Sequence, residues 1–438
     1  MTSLDELRAL QQSGDIDTVI LAVCDLYGRL MGKRLDAAFF LGAAEDGTHV
    51  CDYLFTVDME MEPIDGYEFT SWSAGYGDVH LVPDFNTIRV LSWHDRTALI
   101  MCDAHTHQHE PVSIAPRSLL GRQVEAAAEL GFTAMAASEL EYYLYRTTYA
   151  QAAVSNYQDL APAGWYIEDY HLLQGTRTED LNGPFRRHLA ASGIPVESTK
   201  GEWGHGQHEL NIRYCEVLEM ADRHVLMKQA IKEIAEQHDA SATFMAKPYE
   251  SQAGSSSHIH LSLWTGETNA FVGDGEIAGI EASDTFRWFL GGWMRYAAEL
   301  MVCYAPSINS YKRYQSQSWA PTAVAWSPDN RTAGFRVVGK GGALRIECRL
   351  PGADVNPYLA YSAVLASGLA GISHKIEPPE AHIGDVYSAS ALPTVPSTLA
   401  EAADRFAASE FALEAFGATA AKHYSHFFAS EVEAYNRS

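Results

Sequence analysis

Along "SSSHIHLSLW", residues 255–264, polar and apolar side chains alternate: His258, His260 and Ser262 against Ile259, Leu261 and Leu263. A period of two yields distinct faces only in an extended strand. Three further segments keep the rule. In "AASELEYYLY" Glu139 and Glu141 share a face, and in "ALRIECRL" Arg345, Glu347 and Arg349 stand opposite Leu344, Ile346, Cys348 and Leu350. "GEWGHGQHELNIRY" adds Glu202 and Glu209, with Gly204 and Gly206 letting the backbone turn. One such strand describes an antiparallel sheet wetted on one side. Four, whose polar faces hold Glu, His and Arg in place of Lys, Thr and Gln, describe a sheet that gathers charge on one surface.

Carboxylates of Glu139, Glu141, Glu202, Glu209 and Glu347 on one concave face repel one another unless cations neutralise them. Oxygen donors with an imidazole such as His258 suit Mg²⁺ or Mn²⁺ better than a closed zinc site. Arg313, Arg331, Arg336, Arg345 and Arg349 imply an anionic partner, because the guanidinium fork matches carboxylate or phosphate. Carboxylate-bound divalent ions beside arginines are the parts that phosphoryl transfer requires. No Walker loop supplies the nucleotide site: "GRLMGK" from Gly28 has one residue too few between its glycines.

The chain of 438 residues has room for two or three domains at about 150 residues each. "DTVILAVCDLYGRLMGKRL" reads as strand, turn, strand, and "GYGDVHLVPDFNTIRVLSW" and "RTALIMCDAH" continue as short strands. The first hundred residues therefore form a small, mainly β unit. The tract "HTHQHEPVSIAPR", from His105 to Arg117, reads as a solvated linker. After it "SLLGRQVEAAAELG" is a helix capped by Ser118 and stopped by Gly131. "ADRHVLMKQAIKEIAEQHD", "ASDTFRWFLGGWMRYAAELM" and "NPYLAYSAVLASGLAGISHKI" are further helices between strands, so the remainder is one large α+β unit. Six scattered cysteines without a CxxC suit reduced thiols and a cytoplasmic location. A net charge of −25 argues against nucleic acid, and no apolar run reaches the length of a membrane span.

"KPYESQAGSSSHIHLSLW", "NSYKRYQSQSWAPTAVAWSPDNR" and "LRIECRLPGADVNPYLAYSAVLASGLAGI" resemble the ATP, glutamate and metal motifs of the glutamine synthetase superfamily. "GFTAMAASELEYYLY" and "GEWGHGQHEL" fit in the same order, and "DLYGRLMGKRL" resembles that family's small β-grasp domain. The resemblance implies an α+β fold: a β-grasp domain over residues 1–110, then a catalytic domain over 111–438 with a curved antiparallel sheet and surrounding helices. It implies a first metal on Glu141, Glu202 and Glu209 and a second on Glu139, His258 and Glu347, the ions being Mg²⁺ or Mn²⁺. It implies that Arg313 and Arg349 engage the glutamate carboxylate and the phosphate in flight, with Arg331 joining them in catalysis. Arg331, Arg336 and Arg345 then surround ATP, His260 and Ser262 touch the nucleotide, Tyr214 packs on adenine, and Gly254 meets glutamate through its backbone. Stacked hexameric rings, with sites shared between neighbours, belong to the same expectation.

Two departures bear on the acceptor. Glutamine synthetases carry a glutamate just before Ala-Pro, and this acid holds ammonium and takes its proton; here the residue is Trp319. The Asp-Gly-Ser-Ser motif whose aspartate also serves ammonium is missing, the region reading "DYLFTVDMEMEP". Loss of both anions removes the reason for a small cation to bind, and tryptophan offers a wall for an alkyl chain or a larger cation. The chain thus resembles the γ-glutamyl–amine ligase branch, whose acceptors are ethanolamine, polyamines or other primary amines. Asp58, Glu60 and Glu62 are candidates to hold the far end of such an amine. Glutamine synthesis and an idle ring protein are the competing readings. Ala253 stands where many relatives have Asn, and the surroundings of Tyr387 differ from the tyrosine that some relatives adenylylate.

Overall fold

The computed structural model describes residues 2–389 and 391–437. Two sheets organise it. The first is built from β1 (Thr18–Cys24), β2 (Leu30–Asp36), β3 (Thr48–Cys51), β4 (Asp78–Pro83), β5 (Arg89–Val90) and β6 (Thr97–His105). Its order is β2-β1-β6-β4-β3, with β5 on β6; β1 and β6 run parallel and the other neighbours antiparallel. The β1–β2 hairpin turns at Gly28, whose φ of 81° lies in the left-handed region that favours glycine. A helix, Leu4–Ser13, precedes the sheet, and the strand-based reading of this segment overlooked it. The signal was there: Ser3 and Glu6 form a reciprocal capping box.

The second sheet uses β7 (Thr133–Tyr145), β8 (Val196–Gly201), β9 (Gln207–Ile212), β10 (Cys215–Glu216), β11 (Ser241–Thr243), β12 (Ser257–Thr265) and β13 (Thr268–Asn269). After a separate small hairpin of β14 (Gly275–Ile277) and β15 (Ile280–Ala282), β16 (Trp326–Pro328), β17 (Phe335–Val338) and β18 (Arg345–Cys348) complete it. The order is β16-β17-β18-β12-β7-β9-β8, antiparallel except for β16 and β17. Apolar side chains at alternate positions, among them Leu140, Ile259, Leu261 and Ile346, join one core with Leu226, Ile231, Leu359 and Val364 of the helices Val217–Gln237 and Pro357–His374. Burial of this face leaves the opposite, charged face to line cavities.

The helix expected at Ser118 begins earlier, at Pro116, with Ala115 as its cap residue and no side-chain cap. Proline's fixed φ and missing N–H suit the first helical turn, so it sets the start in place of the serine. The histidine-rich tract is an ordered turn: His105 ends β6 opposite His80, and Thr106 N–H donates to the Glu110 carbonyl. The two sheets meet where the β1–β2 turn docks on the start of helix Pro357–His374. Asn356 Nδ2 donates to the carbonyls of Asp25 (3.0 Å) and Leu26 (3.1 Å), and a Cβ on Gly28 would lie 3.1 Å from Asn356 Cα. No helix among the described residues is long and apolar enough to cross a membrane.

Candidate active site

Strand register lays the charged side chains out in rows. His258 of β12 is opposite Glu139 of β7, which is opposite Asn211 of β9. One step along, Glu141 is opposite Glu209, and Glu209 opposite Lys200 of β8. On the other side Arg336 is opposite Glu347, and Glu347 opposite His260. Since side chains two apart share a face, these rows converge over the centre of the sheet.

Ligating atoms of Glu139, His258 and Glu347 lie within 4.8 Å of one another, and so do those of Glu141, Glu209 and His258. His258 Nδ1 is 3.1 Å from Glu139 Oε2 and 3.7 Å from Glu347 Oε1, while His260 Nε2 is 2.9 Å from Glu139 Oε1. Glu141 accepts from the Ser256 N–H at 2.7 Å and from Gln207 Nε2 at 3.3 Å. Asn211 Nδ2 donates to Glu209 at 3.1 Å. Glu202, expected beside Glu141 and Glu209, is ion-paired with Lys200 and still close enough to raise both of those carboxyls, while His258 joins Glu141 and Glu209 in a group of mutually close ligand atoms.

The two groups differ in charge. Burial raises the Glu347 carboxyl, but Arg349 and the two histidines outweigh it and hold it down at about 2. Burial also opposes ionisation of Glu139, yet hydrogen bonds with His258 and His260 keep its carboxyl well below the usual range. Glu141 is pushed up by burial and by Glu202 and Glu209. Glu209 is pushed up to about 8, first by burial and then by Glu139 and Glu202. Burial pushes His258 down to about 4, which leaves its imidazole neutral at pH 7 with a lone pair to give. Buried carboxylates short of positive charge, grouped with a neutral imidazole, fit a hard divalent cation.

Two cavities share Glu139 and Asn211 in their walls. The larger, about 500 Å³, is lined by Glu139, Glu141, Glu202, Glu209, His258, Gly254, Arg313, Trp319, Arg331, Arg336 and Arg349. The smaller, about 340 Å³, is lined by Tyr214, His260, Ser262 and Arg345 with apolar Ile212, Leu261 and Trp264, a size and lining suited to a nucleoside. Arg345 Nε donates to His260 Nδ1 at 3.2 Å, and Trp264 Nε1 to Ser262 Oγ at 2.9 Å. The structure therefore brings the residues expected to hold metal, nucleotide and glutamate, and Trp319, to one double chamber; Glu347 lines neither cavity but is grouped with Glu139 and His258.

Arg313 and Arg349 are buried, and the Nε of each has no hydrogen-bond partner among the described residues. Buried guanidinium donors in the wall of a cavity call for an anion. Arg313 is held by Ser256 Oγ (2.7 Å) and the Leu350 carbonyl (3.1 Å). Its alkyl stem passes so close to Gly254 that a Cβ there would sit 2.7 Å from Arg313 Cγ. Arg336 bridges Glu347 (2.8 Å) and Asp329 (2.6 Å), whereas Arg331 is exposed at the rim. Trp319 is half exposed and adopts φ 65°, unusual for a bulky residue. Its loop is tied down by Ser318 Oγ, which donates to the Arg313 carbonyl, and by the Tyr387 hydroxyl, which donates to the Ala320 carbonyl.

Sequence reasoning passed over Lys200, Gln207 and Asn211, and over Asp169, Tyr170 and Trp203, all of which line the larger cavity. Lys200 and Asn211 stand two residues from Glu202 and Glu209, so the same-face rule would have found them. Asp169 and Tyr170 lie in a segment without periodicity and gave no signal. Asp58, Glu60 and Glu62 do not line either cavity; Asp58 Oδ1 instead accepts the backbone N–H groups of Glu60 and Glu62 at 2.9 Å each and shapes its own loop.

Residues 113–438 match the family model described as glutamine synthetase, catalytic domain. A γ-glutamylethanolamide synthetase, GlnA4, of Streptomyces coelicolor is 46% identical over 99% of this chain and 93% of that protein. A glutamate–isopropylamine ligase of a Pseudomonas species is 37% identical over 98% and 95%. Among solved structures, GmaS without ligand superposes with a TM-score of 0.86 at 28% identity, covering 100% of this chain and 97% of that one.

Proposed function

Because the chain belongs to the glutamine synthetase family and is one of its ligases, we propose that it joins the γ-carboxylate of glutamate to a primary amine larger than ammonia, at the expense of ATP. The observation that carries the amine half of this reading is Trp319, an aromatic wall of the cavity that also holds Arg313 and the carboxylates. The relatives named for ethanolamide, isopropylamine and anilide products support the same class of acceptor.

In this reading the smaller cavity takes the nucleoside, with Tyr214 against the base and Arg345, His260 and Ser262 near the ribose and phosphates. The γ-phosphate then reaches the junction of the two cavities, where Glu139 stands. Glu139, His258 and Glu347, and Glu141 and Glu209 with Glu202 or His258, would hold Mg²⁺ or Mn²⁺. Such ions neutralise phosphate charge and orient the transferred group. Glutamate lies along Gly254, its carboxylate on Arg313 or Arg349. An oxygen of its γ-carboxylate attacks the γ-phosphorus, the bond to the bridging oxygen breaks, and ADP leaves. Arg313, Arg331, Arg336 and Arg349 stabilise the charge spread over the transferred phosphoryl oxygens. The amine nitrogen next attacks the acyl carbon of γ-glutamyl phosphate, gives up a proton, and displaces inorganic phosphate. The Trp319 loop, anchored by Ser318 and Tyr387, excludes water from this mixed anhydride. Assembly into stacked rings, with a neighbouring copy's small sheet completing the acceptor end, belongs to the same proposal.

The test is ADP release with Mg²⁺, ATP and glutamate against ammonium, ethanolamine and alkylamines, with product masses measured. Turnover with an organic amine and little with ammonium is expected, and Trp319→Glu should raise the ammonium-to-amine ratio. Turnover with ammonium alone would refute the reading and favour glutamine synthesis.

A further inference from the structure

The acceptor end of the larger cavity contains a fixed cation that the ligase reading does not use. Lys200 Nζ is ion-paired with Glu202, lies 3.1 Å from Asp169 Oδ1, donates to the Gly201 carbonyl at 3.3 Å, and sits 4.5 Å above the centre of the Tyr170 ring. Lys200, Asp169, Tyr170, Glu202, Trp203 and Trp319 all line this one cavity.

A second positive charge on an acceptor needs either an available carboxylate or an open aromatic face. Beside Lys200 both are already taken. Asp169 and the face of Tyr170 are taken by Lys200. Glu202 is either paired with Lys200 or, if it turns to a metal ion, spent there. Asp58, Glu60 and Glu62, the acids of the small sheet's loop, line neither cavity of this chain. Should Glu202 turn away, Asp169, the Gly201 carbonyl and Tyr170 still hold the ammonium in place. What remains for the body of an acceptor is Trp203 and Trp319, 52% and 53% exposed, two broad apolar surfaces.

Resting on the ligase reading, we infer that the acceptor is a monoamine whose far end is uncharged, alkyl or hydroxyl, and that Lys200 is the residue that turns away diamines and polyamines. A distal ammonium that reaches Asp169 and Glu202 finds both carboxylates already neutralised by Lys200 and gains no counter-ion there to offset its lost hydration. A hydroxyl or methyl group meets no such barrier.

Matched acceptors of two lengths test this: n-butylamine, 3-aminopropan-1-ol and 1,3-diaminopropane; then n-pentylamine, 4-aminobutan-1-ol and putrescine. The readout is kcat/KM for ADP release with product masses checked, in the wild type, Lys200→Met and Lys200→Arg. The wild type should favour the uncharged-tail member of each set over the diamine by at least about tenfold. Lys200→Met should narrow that gap to within about threefold, and Lys200→Arg, which keeps the charge, should preserve it. Equal or better use of the diamines by the wild type would overturn the inference, as would an unchanged ratio in a folded, active Lys200→Met. If the methionine variant loses all turnover, the wild-type ratio and its retention in Lys200→Arg decide. Turnover with some amine but a preference for diamines sinks only the role given to Lys200; no turnover with any amine sinks the ligase reading with it.

Discussion

Gly254→Ala separates the precise placement of Arg313 from its mere presence. A Cβ at this position would come within 2.7 Å of Arg313 Cγ and 2.9 Å of the Ala246 carbonyl, both inside any ordinary carbon contact. The guanidinium stem must therefore retreat by roughly half an ångström or more. It is only 1% exposed and cannot swing into solvent, so the movement is passed to its hydrogen bonds with Ser256 and the Leu350 carbonyl. Overpacking of this kind costs about 1–3 kcal/mol. For 438 residues the unfolding entropy is roughly 0.9 kcal/mol per degree, so Tm should fall by only about 1–3 °C. Catalysis is less forgiving, because a misplacement approaching 1 Å in a positioning group costs on the order of a hundredfold. A loss of about 10–100-fold in kcat/KM for glutamate is expected, with the melting point nearly kept. Steady-state kinetics across a glutamate titration, beside differential scanning fluorimetry, measures both. An alanine variant that melts lower yet keeps wild-type kcat/KM would refute the placement of glutamate against Gly254 and Arg313.

Glu209 couples metal binding to pH. Its carboxyl is pushed up to about 8, so below that pH the metal-free protein holds a proton that a divalent ion must displace. Mg²⁺ affinity should therefore tighten as pH rises from 6.5 to 8 and level off above, with proton release visible by calorimetry in buffers of different ionisation enthalpy; Glu209→Gln should flatten the profile. Asn356→Ala removes both bonds that dock the β1–β2 turn and the helix cap on the Tyr358 N–H; the Leu26 carbonyl is left unpaired, while the Asp25 carbonyl keeps the Gly28 N–H. At about 1–3 kcal/mol for the buried carbonyl left unsatisfied and about 1 kcal/mol for the lost cap, chemical denaturation should show a loss of roughly 2–4 kcal/mol, and a loss below about 0.5 kcal/mol would mean the turn is held by other contacts.

Period-two alternation made the central sheet legible, because a buried apolar face and a charged cavity face are both written into neighbouring residues. It placed β7, β9, β12 and β18 and, through them, the carboxylates, His258, His260 and Arg345. What alternation cannot convey is which strand lies beside which: nothing local says that Arg336, Glu347 and His260 form one row across three strands. Nor does it reveal competition between charges: the pairing of Glu202 with Lys200 leaves no mark in local pattern. Asp169 and Tyr170 reach the cavity through a loop fastened to Gly201 by an isolated bridge, a long-range contact with no trace in local pattern. Ser118 misled because it was read as a cap without weighing Pro116, whose backbone constraint dominates.

The strand order of the second sheet also dictates a history. Glu139 and His258 are 119 residues apart, and the strand bearing Glu347 pairs with β12 from the far side. Read in the direction of synthesis, the acids at 139, 141, 202 and 209 all come before the arginines at 313, 331, 336, 345 and 349. At 5–20 residues per second a ribosome exposes the acidic half roughly ten to forty seconds before the basic half exists. During that interval Lys200 answers part of this charge through Glu202, and the rest repels itself. Divalent ions of the surrounding solution are then its available counterions, and docking of β18 on β12 is the step that brings the arginines alongside.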